Sequence, residues 1–448
     1  MENETKKLFL LKDANVSTAL LKLGIPTMVG MLIAALYNVV DTFFVAKLGT
    51  SQMGAVSIVF PIGTIMTGIA LLFGSGASSY LARLLGNRQH KEADSCASTA
   101  LFTSVCIGGI CILFLLLIMT PILKCLGATP TILPYARQYG YVFVFSLLFN
   151  VFNVTVNNII TAEGASRFSM IAMFCGGMLN AGLDPVMIYV LHMGVMGAAA
   201  ATLVANMVST TLYVSYIFGR KSVFHISLKK LSIDKKIYME IFKVGLPILA
   251  FQILTSVAVG ITNFIAADYG DSVVAAIGIE ARVIALGTMA VFGFLKGFQP
   301  FVGYNYGAKN WTRVEEAKKF ALRLTSCFCI LVAAGLIAFS SNIVELFNKN
   351  DLIVMKVGKE ALILNGIVFA TLGFQLVYGT FYLALGKSKQ GGILSICRQG
   401  LFFIPLVLIL PQLFGVQGIL FAQPIADIGN VFLTGMFAYG VNYRTEVN

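Results

Sequence analysis

Apolar runs long enough to cross a bilayer recur along the whole chain, separated by short polar stretches. A helix needs about 20 such residues to span the hydrocarbon core. No water is available there to satisfy stray backbone groups, so an apolar run of this kind is confined to a helix that closes its own hydrogen-bond ladder. The chain has 448 residues, of which 58% are hydrophobic and only 12% charged, against about 25% charged in a soluble domain. The expected fold class is an all-α polytopic membrane protein. A membrane β-barrel would show segments of about ten residues with strict alternation, and none is visible.

Twelve helices are expected, over 17–46, 53–80, 93–121, 133–160, 167–190, 194–218, 240–267, 275–303, 315–340, 357–384, 391–412 and 416–441. An even number puts both termini on one side, together with the loops after spans two, four, six, eight and ten. Most of the 32 Lys/Arg fall on that side, and the positive-inside rule assigns it to the cytoplasm. The expected location is the inner or plasma membrane. The first residues, MENETKKLFLLKD, have no small-residue cleavage site before span one and read as retained.

The chain repeats itself. LKLGIP at 21–26 matches FKVGLP at 242–247. Held without a gap, that offset puts Gly49 on Gly270, Phe73 on Phe294, Gly76 on Gly297 and Gly86 on Gly307. It also puts MGVMG at 193–197 on FGVQG at 414–418. Each half then holds six helices, and six is even, so the repeats run parallel and are related by a pseudo-two-fold along the membrane normal. The expected division is an N-lobe at 1–220, a basic linker at 221–240 and a C-lobe at 241–448. Carriers built this way place their substrate site between the repeats.

Within this frame Asp41 stands out, in LYNVVDTFFV of span one. An aspartate at the centre of a membrane helix costs roughly 2.5–3.5 kcal/mol on the insertion scale. Its partner in the second half is Thr262, so the repeated scaffold does not require the acid. A second acid lies in MLNAGLDPVMIYV of span five. There Asn180 and Asp184 are four apart and share a helix face, and Pro185 removes a backbone donor and frees a carbonyl near Leu179 to Ala181. Thr202 ends the small-residue run GAAAAT of span six, where its hydroxyl would aim at that carbonyl, and Tyr37 lies four before Asp41. If Asp41, Asn180, Asp184 and Thr202 converge, they make an oxygen cluster suited to a sodium ion or a proton. Two close carboxylates in a poor dielectric cannot both stay ionised.

Span four carries Asn150, Asn153 and Asn157 on one face, either lining a cavity or bonding between helices. Met31, Met173 and Met289, with the aromatics Phe251 and Phe292, are candidates for an adaptable substrate cavity, although at helical spacing such residues also pack as core. In the second half Glu280, Arg282, Arg398 and Asp427 form a candidate second polar network. Arg398 at bilayer depth needs a partner, expected to be Asp427 or Glu280.

Several classes fall away. The net charge of +12 does not indicate nucleic acid, because the positive charges lie between the apolar runs. The eight cysteines have neither CxxC nor disulfide-like spacing and read as small apolar fillers. No metal cluster or Ser/His/Asp arrangement is visible, and GSGAS at 74–78 offers a serine without a histidine, so neither an enzyme nor a cofactor is expected. The bundle needs no partner to bury its polar groups, so a monomer in the lipid bilayer is expected.

The residues quoted carry a resemblance to a known family. Pro26, Tyr37-Asn38-Val39-Val40-Asp41-Thr42 and Gly49 in span one, Pro247 and Thr262-Asn263-Phe264 in span seven, and the turns Gly86-Asn87 and Gly307-Ala308-Lys309 all take part. With Asn180 and Asp184-Pro185 in span five, the chain resembles the multidrug and toxic compound extrusion (MATE) transporters, in their bacterial MepA-like and DinF-like branch. The resemblance covers nearly the whole chain. It implies two six-helix lobes around a V-shaped cavity, and export of bulky, often cationic amphipathic compounds against protons or sodium. It also implies that Tyr37, Asp41, Asn180, Asp184 and Thr202 form one N-lobe cation site. The NorM-type branch uses acids in spans seven and eight to ten; this chain has Glu280 but no acid deep in span ten. The runner-up within the superfamily is a flippase for a lipid-linked precursor, whose cationic cavity contrasts with the acidic one expected here.

Overall fold

The computed structural model describes residues 8–219, 221–349 and 351–440. The described residues form eleven helices long and apolar enough to cross a membrane, and a bent helix pair that makes a twelfth when counted as one span. Spans one to six are Val16–Ala46, Thr50–Gly86, His90–Leu117, Leu133–Ala162, Ser166–Val190 and Val195–Phe218. Spans seven to nine are Lys235–Ala267, Asp271–Gly307 and Trp311–Ala338. Span ten is Leu352–Phe369 with Leu372–Ala384, bent by 50° at the join, and spans eleven and twelve are Ser388–Phe414 and Val416–Tyr439. Spans two and eight run further than their apolar cores indicate, because each continues into a polar turn capped at Asn87 and Ala308. The bend in span ten has no proline. It lies where the Thr371 hydroxyl donates back to the Val368 carbonyl at 2.8 Å, competing with the helix ladder.

The repeat is written in the backbone. Gly194 and Gly415 adopt φ 57° and 59°, and Arg88 and Lys309 adopt φ 60° and 58°. These are equivalent positions in the two halves, and all four need the left-handed region that L side chains disfavour. The seam between halves obeys the same symmetry. A Cβ on Gly86 would lie 2.0 Å from the Tyr304 carbonyl oxygen, and one on Gly307 would lie 2.1 Å from that of Arg83. Gly76 meets the Ile241 backbone and Gly297 that of Leu23 in the same way. Only glycine lets helix backbones approach this closely.

These contacts lie in the linker-end parts of spans one, two, seven and eight. Polar ties cross there too. Arg83 pairs with Glu240 at 2.9 Å, the Ser79 hydroxyl donates to the Leu383 carbonyl at 2.6 Å, and Arg313 donates to the Ala14 carbonyl at 2.7 Å. The linker does not hang free. Asp94 of span three accepts from the His225 amide and pairs with Lys230, and Thr99 accepts from the Ser232 amide. Glu163 at the end of span four accepts from Ser222 and Val223. Side chains thus satisfy backbone donors that an irregular segment cannot pair by itself.

Candidate functional site: a buried carboxylate pair

Span five turns irregular immediately after Asp184. Pro185 ends the α-helix, and Val186–Val190 continues as a single π-turn of the kind that often marks functional sites. Two contacts hold that turn. Gly197 of span six packs against the Met187 backbone, where a Cβ would sit 2.7 Å from its carbonyl carbon. The Tyr189 hydroxyl donates to the Phe44 carbonyl of span one at 2.7 Å. The second contact brings the end of span one, and with it Asp41, against the acid of span five.

Asp184 is 0% exposed and Asn180 3%. The Asn180 amide donates to Asp184 Oδ1 at 3.4 Å and to the Thr202 hydroxyl at 3.3 Å. Asp184 lies within electrostatic reach of Asp41, and the buried Tyr139 hydroxyl lies within reach of both. Tyr37 packs its ring over Gly177 of span five, at the spot a Cβ there would occupy. Asp41 Oδ1 and Asp184 Oδ2 are buried with no hydrogen-bond partner. Leaving a buried acceptor unpaired costs about 1–3 kcal/mol, more if it is charged, and here two adjacent carboxylates carry that cost. The donor set of two carboxylates, an amide and a hydroxyl consists of hard oxygens, which suit sodium or a proton and not a soft transition metal. Among the described residues no group of three or more His, Cys, Asp or Glu gathers as a metal site.

Two details differ from expectation. Thr202 does not meet a carbonyl freed by Pro185. Its hydroxyl donates to its own helix at Ala198, 3.1 Å away, because the π-turn, starting after Pro185, absorbs the break. Tyr139 is absent from the set expected on sequence, yet a signal for it exists: it sits three turns before Asn150 on the face that continues through Asn153 and Asn157.

The asparagine face of span four bonds between helices. Asn150 accepts from Thr67 at 3.3 Å, and Asn153 bonds the Asn206 carbonyl and Thr210 at 3.0 and 2.8 Å. Asn157 donates to Ser169 and Tyr213 and accepts from Lys296 of span eight. Met31 and Met289 are half-buried. Met173 instead fills the notch left by Gly30 of span one, so it joins two helices.

In the second half Arg398 grips Asp427 with two bonds of 2.7 and 3.4 Å. Gln423 donates to the same carboxylate at 3.1 Å, and Gln375 links Asp427 to Asn430. Glu280 and Arg282 do not join this network. Span eight packs mainly on spans one, two, nine and ten, with smaller contacts to seven and four, Glu280 makes no bond to Arg398 or Asp427, and Arg282 is exposed.

Fold and site together define a twice-repeated polytopic membrane protein with a buried, oxygen-rich carboxylate cluster in one half. The MatE family model matches residues 26–186 and 247–409, one stretch in each half, and the chain belongs to that family. It is 28% identical to the multidrug export protein MepA of Staphylococcus haemolyticus (strain JCSC1435), over 99% of this chain and 98% of that one. A MATE crystallised in complex with MaL6 superposes with a TM-score of 0.92, at 27% identity and covering 97% of each chain. An outward-facing multidrug resistance MATE transporter of the MOP superfamily gives 0.91, again at 27% identity and 97% of each chain.

Proposed function

We propose that this protein is a cation-coupled antiporter that exports organic, often cationic amphipathic compounds by alternating access. The observation that carries the reading is the meeting of Asp41 and Asp184, each with an orphaned oxygen, in one buried cluster. Kinship with a multidrug export protein supports the substrate class. Tyr37, Asn180 and Thr202 orient the pair, and Asn180 is the donor that fixes one oxygen of Asp184.

A proton or sodium ion neutralises the pair. The neutral site then tolerates a dry, closed packing that the charged one resists, because burying uncompensated charge is costly. Ion and substrate thereby favour different states, and that difference is all that coupling requires. Span one is the moving part in this scheme. It carries Asp41 near its C-terminal end and, inside the helix, Pro26, where the ladder lacks a donor. Lobes at 1–220 and 241–448, joined by the 221–240 linker, rock about the glycine seam. The excess of Lys/Arg in the linker-side loops supports a cytoplasmic linker end, with both termini inside and the carrier in the plasma or inner membrane. On this reading the seam is the gate on the cytoplasmic side, closed when the glycine backbones meet. One chain supplies the whole site, so a monomer suffices.

The test is export of a cationic dye from everted vesicles under a proton gradient and, separately, a sodium gradient. Asp41→Asn and Asp184→Asn should each abolish export driven by the coupling gradient. Wild-type rates in Asp41→Asn would sink the scheme.

A further inference from the structure

Lys296 lies in span eight at membrane depth, and the carboxylate pair makes no use of it. Gly293 and Gly297 lie on either side of it, and a Cβ added to either would sit 2.5 Å from the backbone of Met28 or Leu23. Span eight is therefore pressed onto span one, and the lysine is held at the seam between halves, where it cannot snorkel to the lipid headgroups. Its ammonium donates to Asn157 Oδ1 of span four. The Asn157 amide nitrogen is committed to Ser169 at 2.5 Å and Tyr213 at 2.7 Å, so the carbonyl end is locked toward Lys296.

That contact is one neutral acceptor for a group with three donors. Among the described residues no carboxylate forms an ion pair with Lys296. The nearby stretch of span one, Leu23 to Met28, precedes Asp41 by more than a dozen residues. At 1.5 Å per residue this puts the acid pair ~20 Å away, too far to act as counter-ion. A charge at this depth ordinarily pairs or faces a functional cavity. The side chain is partly accessible, and it ends an apolar track. Met289, Phe292 and Lys296 share one face of span eight at spacings of three and four, and Phe251 of span seven packs on Phe292 at 6.1 Å.

We infer that Lys296 is a specificity residue that docks an acidic group of the transported compound, with the compound's apolar body along Met289, Phe292 and Phe251. The substrate class then includes amphipathic molecules bearing a carboxylate or similar anion, not cations alone. This inference rests on the antiporter reading. It also separates the two binding events: the ion enters at the acid pair, while the substrate's anion binds at the seam. Asn157 is a positioning residue, acting through Lys296.

The test uses a matched pair of dyes in everted vesicles of the full chain: rhodamine 110, with a free carboxylate, and its methyl ester, rhodamine 123. Lys296→Gln should lower transport of the acid on the order of tenfold, the worth of a charge-assisted hydrogen bond, and leave ester transport unchanged or raised. Lys296→Arg should keep the acid-to-ester ratio near wild type. The inference is overturned if wild type carries only the ester, or if Lys296→Gln leaves the ratio unchanged. It is equally overturned if Lys296→Gln and Lys296→Arg depress both dyes alike, which assigns Lys296 to holding the halves together. Ester transport lost in Asp41→Asn supports the antiporter reading whichever way the acid dye behaves, so the two can fail separately.

Discussion

The two halves match in the φ angles of equivalent single residues, yet the acid pair of one and the Arg398–Asp427 pair of the other are treated in opposite ways. In the second half Arg398 and Asp427 satisfy one another, with Gln423 also donating to the carboxylate. In the first half Asp41 and Asp184 lie within electrostatic reach of each other, and each keeps an oxygen unpaired. A satisfied pair specifies packing. An unsatisfied pair is where the antiporter reading proposes that the ion binds, and proteins break local rules of this kind mainly at functional sites. Because the scaffold is duplicated, the second half acts as an internal control: the fold forms without an acid at Thr262, so it does not need one at Asp41.

The largest effect expected follows from the two acids acting as a unit. Asp41→Asn with Asp184→Asn should lose no more coupled export than either single change, since groups that act together are strongly non-additive. Export rates in everted vesicles decide this; independent, multiplying losses would show two separate sites. The control half should respond in stability instead. Arg398→Met alone leaves Asp427 buried and unpaired and should cost about 3–5 kcal/mol, whereas Arg398→Met with Asp427→Leu should be near neutral. Thermal unfolding in detergent reads both. A double variant as unstable as the single would mean that the pair is not merely a clamp.

The comparison sharpens if an acid is placed where the second half lacks one. Thr262→Asp has no Asn180 equivalent to receive it, because the matching position in span eleven is Leu401. It should destabilise by up to about 2.5–3.5 kcal/mol and confer no new ion dependence on thermal stability. Ion-dependent stabilisation of that variant would show that the scaffold alone builds the site.

Span number and the duplication were legible because hydrophobic length and a fixed offset are properties of the chain alone. The span-one and span-five acids were legible because a carboxylate in an apolar run is costly wherever the run folds. What could not be read is which partners meet across helices. Glu280 is as available to Arg398 as Asp427 in the sequence, and only the packing of the helices, which gives Arg398 to Asp427, separates them. The aim of the Thr202 hydroxyl depended on whether the Pro185 break falls before or after the acid. Asn157 read as one of three equivalent asparagines, and its distinct role appears only when Lys296 arrives from the other half.

The smallest effect expected concerns the seam itself. Gly86→Ala and Gly307→Ala each force a methyl group onto a backbone carbonyl of the opposite half, at nearly equal distances. Neither neighbour is a flexible side-chain tip, so the helices must part slightly, and overpacking of this kind costs about 1–3 kcal/mol. If the pseudo-two-fold governs the seam, the two substitutions should cost nearly the same in thermal unfolding, although one lies in the half with the acid pair and the other in the half with the clamp. The same strain falls only on the state in which the halves are closed at the linker end, so both variants should also shift the carrier away from that state. Cysteine accessibility at the opposite end should then fall equally in both. A marked difference between the two variants would mean that the halves, alike in backbone, do not share the motion evenly.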